Sequence, residues 1–302
     1  MIIDRTTGVG QAIMQNAGPA RIGIIIHADH FSESNCNDDY ILWNNYYEYA
    51  FSQNKHVDFY VTATDAQNQL LKEQFEKYLH VSPRIVTIPV GSLNELKYPA
   101  QPRRPYSLIT ASRLAGEKHV NWVVAAAAQA HEQLPQLTLD IYGKGTEEEN
   151  LKDQIKRLGC TDYIHLMGQQ NLTEVYQDYE AYIAGSTSEG FGLTLLEAVG
   201  GGLPIIGFDV RYGNQNFIDE GQNGYKIALD EHMDDKSKIA LLAEKIVKLF
   251  TQADMEAFHE HSYEKAKGYL INPVQKVITI MRYEATFESF SAGETALSKE
   301  SE

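Results

Sequence analysis

The stretch Ser186-Thr-Ser-Glu-Gly-Phe-Gly-Leu-Thr-Leu-Leu-Glu-Ala198 concentrates groups that can grip a charged ligand. Gly190 and Gly192 carry no Cβ, so backbone there can approach a bound molecule closely. The amides near Leu193 and Thr194 are predicted at a helix start. Unpaired N–H groups and roughly half a positive charge favour a diphosphate at such a place. Glu189 precedes the predicted helix and Glu197 lies inside it. Eight helical steps span about 12 Å, whereas paired hydrolytic carboxylates stand about 5 Å apart in retaining enzymes and below about 10 Å in inverting ones. The spacing therefore suits two carboxylates holding the two ends of a long ligand. On periodicity alone, an ordinary strand–turn–helix with surface glutamates reads equally well.

Arg113 and Lys118 lie in Thr110-Ala-Ser-Arg-Leu-Ala-Gly-Glu-Lys118, directly after a predicted strand. Two cations at a strand's carboxyl end can face a ligand crevice, Arg as a fork and Lys as a point charge; alone, such a pair is a solvated loop. In Asp140-Ile-Tyr-Gly-Lys-Gly-Thr146, Gly143 and Gly145 end a strand, and Thr146 with Glu149 reads as a capping box. His27 ends the first long apolar strand and is read as a polar crevice contact. His30 follows it and is read as a structural hydrogen-bonding histidine. Their spacing alone does not make a metal site, since no helix carries it and no third ligand is evident. Gly8-Val-Gly10 lacks the third glycine of a dinucleotide fingerprint.

The elements that position these residues alternate along the chain. Ile22–Ile26 is an unbroken apolar run, as a strand buried on both faces should be. A helix follows around Tyr40–Ala50, then a strand over Val57–Thr62, a helix from Asp65 to Leu79 and a strand over Ile85–Ile88. Three prolines within Tyr98–Pro105 mark a stiff connector. Beyond it, strands are predicted near 107–110, 137–142, 163–166, 181–184, 204–208 and 224–227, with helices around 122–131, 147–157, 172–179 and 193–199. The remainder reads as helix, through 236–250, 254–269 and 273–287, before a small polar tail from Ser291. The pattern is α/β with parallel sheets. It divides into a partial first unit over 1–98, a complete second unit over 99–272, and a helix with flexible tail over 273–302.

Composition narrows the functions. With 302 residues, 43% hydrophobic and 22% charged, the chain has ordinary globular values. Lys+Arg 26 against Asp+Glu 41 leaves −15, a charge that repels phosphate backbones and argues against nucleic-acid binding. No apolar run approaches the length of a membrane span, and the start lacks a secretory signal's order. Cys36 and Cys160 are too few for a disulfide framework. A cytoplasmic protein, at most peripheral to a membrane, is expected. A nicotinamide-dependent dehydrogenase is discounted, because the first strand runs into His27-Ala-Asp-His30 rather than a glycine fingerprint.

Four motifs occur together in one order: Ala111–Lys118, Tyr142-Gly-Lys-Gly145, Ser188–Glu197 and Phe217–Tyr225. Together they resemble retaining GT-B glycosyltransferases that use nucleotide sugars. Arg5–Gln11, His27–Glu33 and Asp209-Val-Arg-Tyr-Gly-Asn214 resemble, more narrowly, the A subunit of the accessory Sec glycosyltransferases. That family moves N-acetylglucosamine from its UDP donor to serine-rich repeat adhesins. The wall-teichoic-acid α-glycosyltransferases are similar and form the alternative. A nucleotide-sugar-binding half-enzyme without catalysis is a further one.

The resemblance implies a GT-B fold with two Rossmann-like units facing a cleft, the first only partial here and carrying the acceptor side. It implies that Arg113 and Lys118 bind the donor diphosphate, and that Glu189 with the backbone of Gly190, Phe191 and Gly192 contacts the donor sugar. Leu193 and Thr194 would offer amides to phosphate, Glu197 would take the ribose hydroxyls, and Gly143 would border the nucleotide. His27 would face the sugar from the first unit. No metal is expected, because no D-x-D follows an apolar strand and the cations take its place. The implied partners are a UDP-sugar, a serine-rich acceptor protein and a homologous B subunit.

Overall fold

The structure is a computed structural model that describes residues 2–4, 16, 18–19, 21–26, 28, 30, 43, 45–89, 91–230 and 232–270. The readings at Cys36, at His27, at the Gly8-Val-Gly10 segment, at 31–42 and at 273–302 lie outside the described residues.

Two separate parallel sheets form. The first runs in sequential order through β1 (Ile2–Asp4), β2 (Ile22–Ile26), β3 (Phe59–Thr62) and β4 (Ile85–Thr87). Sequence reading counted three strands there; the three-residue β1 pairs with β2 from Ile2↔Ile22 to Asp4↔Ile24 and makes a fourth. Helix α1 (Asn45–Ser52) and helix α2 (Asp65–Gln74) supply Tyr47, Phe51 and Leu71, which pack with Ile24, Ile26 and Tyr60 in one buried cluster. The side chain of Thr64 caps α2 by accepting from Gln67 N.

The second sheet contains β5 (Ser107–Ala111), β6 (Thr138–Tyr142), β7 (Ile164–Gly168), β8 (Ala181–Ala184), β9 (Ile205–Phe208) and β10 (Gly224–Ile227). Their spatial order is β10-β9-β8-β5-β6-β7. The order reverses between β5 and β8, so the loops leaving these two strands diverge and open a crevice. Helices α3 (Val120–His131), α4 (Glu148–Leu158) and α7 (Asp235–Gln252) cover one face. Helices α5 (Leu193–Gly200) and α8 (Met255–Lys267) cover the other, with the short α6 (Gly213–Phe217) beside them. Burial on both faces explains why the inner strands β5, β8 and β9 read as largely apolar runs.

Two local expectations are corrected. Residues 172–179 form turns and a single 3₁₀ turn at Tyr176–Asp178 instead of a helix. The Arg103 guanidinium takes the carbonyls of Gln177 (2.8 Å) and Tyr179 (2.9 Å), along with Gly201 O at 2.8 Å. Those carbonyls are thus engaged by a distant side chain rather than by a helical ladder. The same bonds pack the proline-rich connector onto the second sheet's unit. The capping box also fails: α4 begins after Glu147 with no side-chain cap, and Glu147 N donates to Leu114 O at 3.0 Å.

Candidate functional site

The three loops that carry the candidate residues leave β5, β6 and β8 at their carboxyl ends. Tyr182 on β8 ties the first and the last of them together. Its hydroxyl donates to Ala111 O at 2.8 Å and meets Thr194 Oγ1 at 3.0 Å, fixing the start of α5 over the end of β5. Gly192 caps α5 in the left-handed conformation (φ +83), and no side chain caps the helix. The first intrahelical bond is Leu196 N to Gly192 O, so the amides of residues 193–195 precede the helical ladder.

A cavity of 560 Å³ opens beside this helix start, and Arg113, Gly143, Lys144, Tyr176, Thr194 and Glu197 are among its walls. Gly143 is required by packing: at φ +136 a Cβ would stand 1.8 Å from the Ser112 carbonyl oxygen. This close approach lays the Arg113 loop across the end of β6, where Ser112 N donates to Tyr142 O at 3.1 Å. Glu197 sits at the rim, and its carboxyl is raised by partial desolvation, opposed by the bond that the Tyr176 hydroxyl donates at 3.0 Å. Arg113 is 72% exposed and turns back to pair with Glu117.

Lys118 has a different partner. Its ammonium donates to Glu189 Oε2 at 2.7 Å, with both side chains about a fifth exposed (19% and 21%). The Glu189 backbone is held as well, its carbonyl accepting from Tyr212 N (3.3 Å) and Gly213 N (3.1 Å).

The structure therefore brings Arg113, Gly143, Thr194 and Glu197 to one cavity and pairs Lys118 with Glu189. Leu193 is exposed at the helix start, and Gly190 lies in the connecting loop. The Phe191 side chain is buried against Phe217 and Tyr269, which anchors the backbone named in the sugar-contacting expectation. Glu189 and Glu197 are separated by a loop and only the first part of α5, so the 12 Å helical span does not describe them. His27 lies outside the described residues. His30 is buried and hydrogen-bonded at both ring nitrogens, as read from sequence. Lys144 and Tyr176 join the cavity unannounced. Lys144 had a sequence signal, since it stands between Gly143 and Gly145, whereas Tyr176 arrives only through the turn after residue 172. Among the described residues, no three His, Cys, Asp or Glu side chains group as metal ligands. No helix among them is long and apolar enough to cross a membrane.

Residues 93–261, more than half of the chain, match the family of glycosyl transferases group 1. The chain belongs to this family. It is 52% identical over 289 residues to the UDP-N-acetylglucosamine–peptide N-acetylglucosaminyltransferase GtfA subunit of Streptococcus gordonii, an alignment covering 96% of this chain and 57% of that one. The crystal structure of the pneumococcal O-GlcNAc transferase GtfA in complex with UDP and GlcNAc has a TM-score of 0.88 at 48% identity, covering 95% of this chain and 56% of that chain. A GtfA/B complex gives a TM-score of 0.84 at 53% identity, covering 93% and 56%. The poly(glycerol-phosphate) alpha-glucosyltransferase of Bacillus subtilis is 27% identical over 251 residues, covering 82% of this chain and 35% of that one. Two parallel-sheet units in the GT-B arrangement are shared with these solved glycosyltransferases. The group 1 chain described here spans just over half the length of the GtfA relatives it matches.

Proposed function

We propose that this chain is the donor-binding part of a retaining glycosyltransferase that moves N-acetylglucosamine from UDP-GlcNAc to serine or threonine of a serine-rich protein. The observation that carries the reading is the seating of Arg113, Gly143, Thr194 and Glu197 around one cavity beside a helix start, in a chain half identical to GtfA subunits. When the bond from sugar to diphosphate breaks, negative charge grows on the diphosphate and positive charge on the sugar ring. Arg113, Lys118 and the amides of Leu193 and Thr194 stabilise the first where it develops, in place of a metal. Glu197 takes ribose hydroxyls at the cavity rim, and Gly143 borders the nucleoside. Glu189, with the backbone of Gly190, Phe191 and Gly192, positions the sugar, and His27 of the acceptor-side segment supplies a further polar contact to it. Retention follows from same-face attack, with the leaving phosphate accepting the acceptor's hydroxyl proton and no protein nucleophile.

On this reading, residues 1–98 are part of an acceptor-side unit and 99–272 belong to the nucleotide-sugar unit. A homologous B subunit is the proposed partner, as in the solved GtfA/B complex, at a cytoplasmic or membrane-peripheral location. Transfer to a polyol phosphate is the weaker reading, supported at 27% identity. Because the chain spans about half of its relatives, binding without turnover is the second reading. Calorimetry with UDP, UDP-GlcNAc and UDP-glucose, followed by a transfer assay on a serine-rich peptide, tests the first and second readings. UDP-GlcNAc binding with turnover supports the first, and binding without turnover the second. Absence of UDP binding removes both.

A further inference from the structure

One buried contact joins the two sheets' units beside the Glu189 loop. His30, just beyond β2, is fully buried. Its Nε2–H donates to Gln74 Oε1 at 2.9 Å at the end of α2, and its Nδ1 accepts from the Tyr212 hydroxyl at 3.2 Å. These bonds assign the neutral Nε2–H tautomer. Burial lowers the imidazole to about 4, so it is uncharged near neutrality. Tyr212 belongs to the second unit, is 2% exposed, and stacks on the imidazole with centroids 5.9 Å apart and planes 15° from parallel.

Tyr212 is also part of the seat of Glu189. Its amide and that of Gly213 both donate to the Glu189 carbonyl, and residues 189 and 212 pair as an isolated parallel bridge. The Glu189 carboxylate in turn holds Lys118. A continuous line of contacts thus runs from Gln74 through His30, Tyr212 and Glu189 to Lys118. It starts on a helix of the first sheet and ends on the loop after β5 at the second sheet's crevice.

We propose that His30 and Tyr212 are positioning residues: their contact sets the 212–213 turn, and through it holds the Glu189 carboxylate at Lys118 with the two units in register. The role in turnover rests on the donor-binding reading above, whereas the mechanical link rests on this geometry alone. Two substitutions at one position separate its bonds. Asn at 30 places an amide near Nδ1 and can keep the Tyr212 contact, while Gln reaches toward Nε2 and keeps only the Gln74 contact.

The test uses the full chain with UDP and UDP-GlcNAc, comparing Tyr212→Phe, His30→Gln and His30→Asn. Amide hydrogen exchange over residues 187–192 should run about tenfold faster in Tyr212→Phe and His30→Gln, and stay nearer wild type in His30→Asn. Donor hydrolysis should fall about tenfold in kcat in the first two variants, with the UDP dissociation constant unchanged or lowered. Unchanged exchange over 187–192 overturns the proposal. So does a parallel loss of kcat, UDP affinity and Tm, which would mark general destabilisation. If wild type neither binds UDP nor hydrolyses the donor, the functional reading fails while the exchange measurement still decides the link.

Discussion

The pairing of Lys118 with Glu189 makes the two residues respond in opposite ways to substitution. The ammonium is held at 2.7 Å by the carboxylate, and both groups are about a fifth exposed. A diphosphate must therefore compete with Glu189 for the same cation. Two unit charges 4 Å apart attract by about 4 kcal/mol at an effective dielectric of 20. Displacement of the carboxylate and solvent screening absorb about half of that. About 2 kcal/mol remains, or roughly thirtyfold in a dissociation constant. Calorimetric titration of Lys118→Met with UDP should show this loss and a shallower dependence on salt. Glu189→Gln removes the competitor without adding charge, so UDP affinity should hold or tighten by up to about tenfold, while donor turnover falls because the sugar is no longer positioned. Equal weakening of UDP by both substitutions would refute the competition, as would a Lys118→Met affinity within twofold of wild type. A sugar trapped covalently on Glu189 would refute its positioning role.

Other outcomes follow from the same geometry. Arg113 is 72% exposed and its ion pair with Glu117 is a surface one, so Arg113→Ala should leave Tm nearly unchanged in calorimetric scanning while weakening UDP roughly tenfold, the weight of one charge-assisted bond of about 1.4 kcal/mol. Gly143→Ala forces a Cβ to 1.8 Å from Ser112 O at φ +136; with backbone strain of about 1–3 kcal/mol it should lower the urea midpoint and displace the Arg113 loop, reducing UDP affinity in the same protein. Burial holds His30 at about 4, and burial followed by the nearby Arg103 guanidinium holds His259 at about 4. Between pH 6.5 and 4 the unfolded chain binds protons that the folded chain refuses. Stability must therefore fall as pH drops through that window, with His30 alone contributing about 2 kcal/mol by pH 5. Urea midpoints that stay level from pH 7 to 5 would contradict this.

Much of the architecture is legible in the residues themselves. Ile22–Ile26, Ala181–Ala184 and Ile205–Phe208 read as strands because a strand covered on both faces must be apolar without interruption. The helix at Leu193 was legible because glycines precede it and Leu195, Leu196 and Val199 recur on one side, all of them buried. Two short elements carry no pattern that distinguishes them: β1 has three residues and α6 five. Local propensity misled over 172–179, where a guanidinium some seventy residues earlier in the chain captures the carbonyls.

The candidate site divides along the same line. The amino-acid order by itself determined that two cations follow one strand and that two carboxylates flank a glycine-bordered helix start. The tertiary structure alone decided their partners. It gave Lys118 to Glu189 and Tyr176 to Glu197, and set His30 against Tyr212, 182 positions away. The reason is physical. A side chain's type and its place on a strand or helix are local properties, whereas a charge's partner depends on how loops from separate strands meet at the point where the sheet reverses its order.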